Sequence, residues 1–248
     1  MSAFTQNLGI QSWCYRNYKT LDTFLPALKS AGVNATEICG VQVDFNKPET
    51  FSEAVKKCND AGVKVLSIGI EYLDGSPDPI RKRCEFLKAA GAKYMGVSFS
   101  PDGMFKAFET ASKIAEEYDI HMGIHNHGGY DWLGNGTILD YIFKNTSPRI
   151  GLTIDTAWAL DAKQNPIEWA DKFAKRLYGV HIKDFIFDRA RNQQDVIVGT
   201  GNLDLPKFIA TLKKNNFNGY AVIEYEADAE NPVPALTQCV QAVKKAVG

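Results

Sequence analysis

Four side chains, each closing a short apolar run, could do chemistry together in this sequence. They are His125 in Gly123-Ile124-His125-Asn126-His127, Asp155 in Leu152-Thr153-Ile154-Asp155, His181 in Gly179-Val180-His181 and Glu224 in Ala221-Val222-Ile223-Glu224. Each run reads as a buried strand, and the runs recur at roughly thirty-residue intervals with a helical pattern after each. Side chains at the ends of successive parallel strands converge on one rim of a closed barrel. Two imidazoles and two carboxylates there suit one divalent metal ion, Mn, Zn, Co, Fe or Mg, with Mn or Zn favoured. A lone histidine ending an apolar run is more often a hydrogen-bonded structural residue. Invoking that explanation four times would bury four polar groups, each needing its own partner, so a shared metal is the simpler reading. The chain has four histidines, and His125, His127 and His181 sit at these strand ends. His121 precedes the fifth strand, on the opposite rim, and reads as structural.

The elements that must position these residues follow a regular cycle. Apolar runs at Leu8–Ser12, Ala35–Ile38, Val65–Ile70, Tyr94–Ser98, Met122–Asn126, Ile150–Asp155, Tyr178–Lys183 and Tyr220–Glu224 predict eight strands. Amphipathic stretches at Leu21–Ser30, Glu53–Ala61, Pro79–Ala90, Phe105–Tyr118, Ile138–Lys144, Pro166–Phe173, Pro206–Lys213 and Pro234–Val247 predict the helices. Ala31-Gly32-Val33, Ala61-Gly62-Val63 and Ala90-Gly91-Ala92 supply helix stops just before strands. Strands joined through helices run parallel and are covered on both faces, which explains continuous runs such as Leu66-Ser67-Ile68-Gly69-Ile70. An open nucleotide-binding sheet would want G-x-G-x-x-G after the first strand, where Gly9-Ile10-Gln11-Ser12-Trp13-Cys14 stands instead. The expectation is a single (β/α)8 TIM barrel occupying residues 1–248, a usual length for that fold. The longest irregular stretch, Asp184 to Asp204, follows the seventh strand and is expected to cover the site.

Composition narrows the partners. The formal net charge is -1, and Lys and Arg are dispersed, which argues against nucleic acid. No run approaches the ~20 apolar residues of a membrane span. A small-molecule partner is expected, and homo-oligomerisation stays open. The five cysteines, Cys14, Cys39, Cys58, Cys84 and Cys239, form no C-x-x-C and suit reduced thiols. Met1-Ser2-Ala3-Phe4-Thr5-Gln6 lacks the basic and apolar regions of a signal peptide, so a cytoplasmic protein is expected.

The motifs also carry a family resemblance. The chain resembles, over essentially its whole length, the xylose-isomerase-like TIM barrels, a sugar phosphate isomerase/epimerase superfamily that includes inosose dehydratases and endonuclease IV. Members carry Glu-Asn-His after strand five, Asp-Thr after strand six, His-x-Lys-Asp after strand seven and Glu after strand eight. Here stand His125-Asn126-His127, Asp155-Thr156, His181-Ile182-Lys183-Asp184 and Glu224. The resemblance implies a metal-dependent isomerase or epimerase that abstracts a proton beside a carbonyl of a sugar or cyclitol, the ion acting as Lewis acid. It also implies Glu224 as ligand and base, with Glu226 on the same face to orient or replace it. Lys183 would meet the developing oxyanion as a cation, or donate a proton if desolvation lowers its pKa; the bland alternative is a rim salt bridge with Asp184. His127 would bond a substrate hydroxyl.

His125 departs from the pattern, since it stands where the family has its first glutamate. Two-base epimerisation needs a base on each face of the carbon, and an imidazole already bound to metal is a poor one. The substitution moves weight toward β-elimination, the chemistry of a dehydratase acting on an inosose or keto-sugar. An endonuclease IV-like repair enzyme would need more metal ligands and a basic groove, and a sugar-binding barrel without catalysis would need no ion.

Around the expected rim, Trp13, Tyr15, Glu37, Asn126, Tyr72, Trp132 and Trp158 follow strand ends and suit polyol binding. Glu71, ending strand three, is the candidate opposite-face base or, equally, a hydrogen-bond partner for a substrate hydroxyl. Apart from Arg16, Lys183, Arg189 and Arg191 the rim lacks the cations a phosphate would want, which favours an unphosphorylated substrate.

Overall fold

The computed structural model describes residues 8–248, so the expectation drawn from Met1–Gln6 lies outside the described residues. Eight parallel strands close into a barrel: β1 (Leu8–Gln11), β2 (Ala35–Ile38), β3 (Lys64–Leu73), β4 (Tyr94–Phe99), β5 (His121–His125), β6 (Ile150–Asp155), β7 (Leu177–Ile182) and β10 (Tyr220–Ile223). Neighbours in the barrel are neighbours in sequence, and β1 pairs with β10 to close the ring. The outer layer holds α1 (Leu21–Ser30), α2 (Phe51–Asp60), α3 (Pro77–Ala90), α4 (Met104–Tyr118), α5 (Gly136–Asn145), α6 (Thr156–Asp161), α7 (Pro166–Lys172), α8 (Leu205–Lys214) and α9 (Val233–Val247). This is the (β/α)8 TIM barrel expected from the strand and helix periods.

The expected helix stops are in place: Gly32, Gly62 and Gly91 take φ of 90°, 69° and 68°, where a side chain would strain the backbone. The strands read as unbroken apolar runs because one face packs on helices while the other fills the lumen. On β10, Tyr220 and Val222 face inward and Ala221 and Ile223 face the helices. That period of two puts residues i and i+2 on one face, so Gly179, His181 and Lys183 share a side, as do Gly123 and His125.

Two departures bear on the site. The stretch after β7 is not wholly irregular, since Phe185–Phe187 (β8) and Gln193–Asp195 (β9) form an antiparallel hairpin. Its base is tied by Asp184, whose carboxylate accepts the backbone N–H groups of Gly199, Gly201 and Leu203 at 2.8–2.9 Å. The alternative salt bridge between Lys183 and Asp184 is therefore corrected. The short α6 was not anticipated; Asp155 starts it by accepting the N–H of Trp158 at 2.9 Å. Among the described residues, no helix is long and apolar enough to cross a membrane.

Candidate functional site

His125, Asp155, His181 and Glu224 come from the ends of β5, β6, β7 and β10, and one ligand atom from each lies within 4.8 Å of the others. All four are buried. His125 Nε2 and Asp155 Oδ2 are 3.6 Å apart, too far to bond each other, and neither has a hydrogen-bond partner among the described residues. Two buried polar atoms without partners, facing one point, are arranged as donors to a cation. His181 is bracketed by carboxylates: Nδ1 is 3.2 Å from Glu224 Oε2, and Nε2 is 2.7 Å from Glu37 Oε1. The latter is a charge contact too bent for a hydrogen bond. Donors of this kind suit Zn, Mn, Co or Fe(II), so the residues present fit a divalent ion.

The backbone around these four residues is held by the other residues of the motifs. Asn126 uses its whole amide on Asp155, donating to its carbonyl at 3.0 Å and accepting its N–H at 2.9 Å. It holds the aspartate and does not line the cavity, contrary to the expected substrate contact. Thr156 reaches across to β7, donating to the Lys183 carbonyl at 2.6 Å and accepting its N–H at 2.9 Å.

Lys183 is 1% exposed and lies over the rings of Trp158 and Phe185. Its Nζ bonds Glu226 and stands 3.9 Å from Glu224 and 4.0 Å from Asp195. Burial alone would lower its pKa, but the surrounding carboxylates of Glu224, Asp155, Glu226 and Asp195 outweigh it and raise the value. The proton-donor route through a desolvated, weakened ammonium is thereby corrected: Lys183 stays a cation. For Glu224, burial disfavours the charge, yet Lys183 and His181 hold its carboxyl well below the ordinary carboxylate range.

Above the group opens a cavity of about 520 Å³ whose lining includes His125, Glu224, Trp13, His127, Trp158 and Glu226. His127 stacks on Trp158 with centroids 4.3 Å apart, and burial, followed by the neighbouring His125, lowers its pKa. Trp13 donates its indole N–H to Glu226 at 3.0 Å. A larger cavity of about 680 Å³ lies between α4 and α5, but its ionisable groups are Glu109 and Lys113, an exposed pair bonded to each other at 2.7 Å. The smaller cavity is the one that adjoins the four-residue group.

Four other expected rim residues are elsewhere. Glu71 bonds Arg83 of α3, because the pairing of β3 with β4 shifts register between Ile68 and Glu71 and breaks the strand alternation. Ile70 and Tyr72 face the cavity in its place, so Glu71 is corrected as a base. Tyr15 ends a tight turn that carries Trp13 outward and Tyr15 into the core, where its hydroxyl donates to the Ala27 carbonyl and its ring packs on Phe24. Trp132 donates to the Phe99 carbonyl and lines the α4–α5 cavity. Glu37, grouped with rim residues from sequence, sits instead in the lumen, wholly buried. Its inward alternation on β2 was the signal for that placement, but only barrel closure shows which residue it meets.

Comparisons with known proteins agree with this architecture. The sequence model of the xylose isomerase-like TIM barrel family matches residues 25–245. An inosose dehydratase of Bacillus velezensis is 25% identical, over 84% of this chain and 82% of that protein. The rhizopine catabolism protein MocC of Rhizobium meliloti is 26% identical over 65% of the chain, a match that spans half of that protein's length. Among solved structures, the IolI protein with a bound zinc atom superposes with a TM-score of 0.73 over 97% of this chain and 96% of that chain at 17% identity.

Proposed function

Since the chain belongs to the xylose isomerase-like TIM barrel family, we propose that it is a divalent-metal-dependent enzyme that removes a proton beside a carbonyl of an uncharged sugar or cyclitol, with loss of water as the outcome. His125, Asp155, His181 and Glu224 would hold the ion, which when bound supplies Lewis acidity toward a substrate oxygen. One observation carries the reading. Glu224 is the ligand carboxylate that also lines the cavity, and the cavity-lining ligand that accompanies it is the imidazole of His125.

Glu224 takes the proton from the carbon beside the carbonyl. The protonated Glu224 then returns that proton to the hydroxyl that leaves from the next carbon as water, while Lys183, kept cationic by its carboxylates and 3.9 Å from Glu224, supplies positive charge toward the negative charge that develops on the substrate. Glu226 fixes Lys183 and is itself fixed by Trp13, so the cation is held before substrate arrives. Trp13 and Trp158 offer apolar ring faces, and His127 offers a neutral donor and acceptor for a hydroxyl. The cavity lining includes no Arg or Lys, Arg16 being spent on the Glu226 carbonyl at 2.6 Å and Arg191 lying over Phe187, which supports an unphosphorylated substrate.

Epimerisation, the family-level expectation, is the second reading; Glu226, which also lines the cavity, would then have to serve as the second base. Metal analysis of the purified protein, followed by NMR in D2O with inososes, 3-keto-sugars and ketoses, separates the two. The expected result is one divalent ion per chain, lost in Asp155→Ala, with proton exchange leading to a dehydrated product. An unaltered, folded protein that retains no divalent ion would overturn the proposal, and efficient epimerisation of a ketose would replace the dehydratase with the second reading.

A further inference from the structure

Glu37 is a buried charge to which the proposed reaction gives no task. It ends the inward-facing side of β2, has no solvent exposure, and is surrounded by donors: Gln11 Nε2 at 2.5 Å, Ser67 Oγ at 2.5 Å and the Tyr220 hydroxyl. Holding a carboxylate in a barrel lumen costs several kcal/mol unless charge and hydrogen bonds compensate, so a site this completely built has a function or a binding partner. The partner is His181, whose Nε2 lies 2.7 Å from Glu37 Oε1. The other ring nitrogen, Nδ1, faces Glu224 at 3.2 Å, on the side of the four-residue group.

An imidazole bound to a metal through one nitrogen carries its proton on the other, and a carboxylate at that second nitrogen fixes the tautomer and increases ligand basicity. Resting on the metal reading above, we infer that Glu37 is a positioning residue: it keeps the His181 proton on Nε2 and so presents Nδ1 as the ligand atom. The contact is bent, so the hold is chiefly electrostatic, and alignment comes from the clamp on Glu37 itself. Gln11 extends that clamp, since it also donates to the Gly69 carbonyl at 3.1 Å and accepts the N–H of Trp13 at 3.1 Å. The same side chain therefore touches both the carboxylate beneath His181 and the turn that carries the cavity-wall indole.

The test compares zinc affinity, by chelator competition, in the unaltered protein, Glu37→Gln and Glu37→Asp, with ring-nitrogen NMR of the zinc-loaded, ¹⁵N-histidine-labelled chain. Four histidines keep that spectrum assignable. Glu37→Gln is expected to bind zinc about 10–100-fold more weakly and to lose the exchange-protected Nε2 proton of His181, with Glu37→Asp in between. Zinc affinity within about twofold of the unaltered protein, together with an unchanged His181 pattern, would overturn the assignment. Should Glu37→Gln fail to fold, Ser67→Ala loosens the carboxylate while leaving its charge; a smaller loss of zinc affinity supports the role and none refutes it. If the unaltered protein binds no zinc or other divalent ion, the metal reading falls and Glu37 has nothing to position. If it binds and the variants match it, only the role of Glu37 falls.

Discussion

Replacing Lys183 with methionine tests whether the buried ammonium serves the reaction or only the fold. Methionine keeps most of the volume, so the cavity contribution is small and charge dominates. The Nζ bonds Glu226 and lies 3.9 Å from Glu224 and 4.0 Å from Asp195. At about 4 Å and an effective dielectric of about 20, each pair is worth about 4 kcal/mol gross, most of which desolvation cancels. Breaking a buried pair by removing one partner usually costs about 3–5 kcal/mol, because the other charge stays behind uncompensated. Glu226 and Asp195 have side chains 32% and 15% exposed and can take up water, which reduces the loss. A net cost of about 2–4 kcal/mol follows, and at about 2–4 °C per kcal/mol for a chain of this size the melting temperature should fall by about 5–15 °C. If Lys183 also meets the charge that develops in the transition state, kcat should drop about 10²–10³-fold with the metal retained. The assay is kcat on zinc-quantified protein beside a thermal melt. An unchanged kcat at full metal occupancy would refute the catalytic role, and an unchanged melting temperature would refute the electrostatic reasoning.

Three further outcomes are expected. His125→Glu should retain the ion, since a carboxylate replaces one ligand with another, and should raise ketose epimerisation from a negligible level by supplying a second base; efficient epimerisation before the substitution would contradict this. Burial disfavours a charged His181, but Glu37 and Glu224 outweigh it and hold its pKa well above the ordinary value. Metal binding must then displace a proton, so apparent zinc affinity should rise about tenfold per pH unit upward from about pH 6.5 until the metal-free imidazolium titrates; a flat profile in a titration series would exclude that displacement. Asp184→Ala removes the acceptor of three backbone N–H groups. It should cost about 2–4 kcal/mol and open residues 185–204 to protease, and a melt and digestion pattern like those of the unaltered protein would count against the clamp.

The periods in the chain were enough for the barrel, because an apolar run of strand length followed by an amphipathic helix, repeated through the chain, has few other ways to bury both faces. They were enough as well to bring His125, Asp155, His181 and Glu224 together, since residues at the C-terminal ends of regularly paired parallel strands converge on one rim. What the periods could not reach was anything that depends on register or on a turn. Glu71 left the rim because β3 shifts register against β4, and Tyr15 left it because a tight turn sends Trp13 and Tyr15 in opposite directions. The first is set by a neighbouring strand, the second by the turn that Gln11 caps. Asn126 is polar at a strand end in either account, yet only the proximity of β6 turns its amide onto the Asp155 backbone. Glu37 and His181 stand far apart in the chain, and closing the ring of strands is what places their side chains 2.7 Å from each other. Residue type and spacing determine which groups reach the rim; packing between strands decides which of them face the cavity and which hold the others in place.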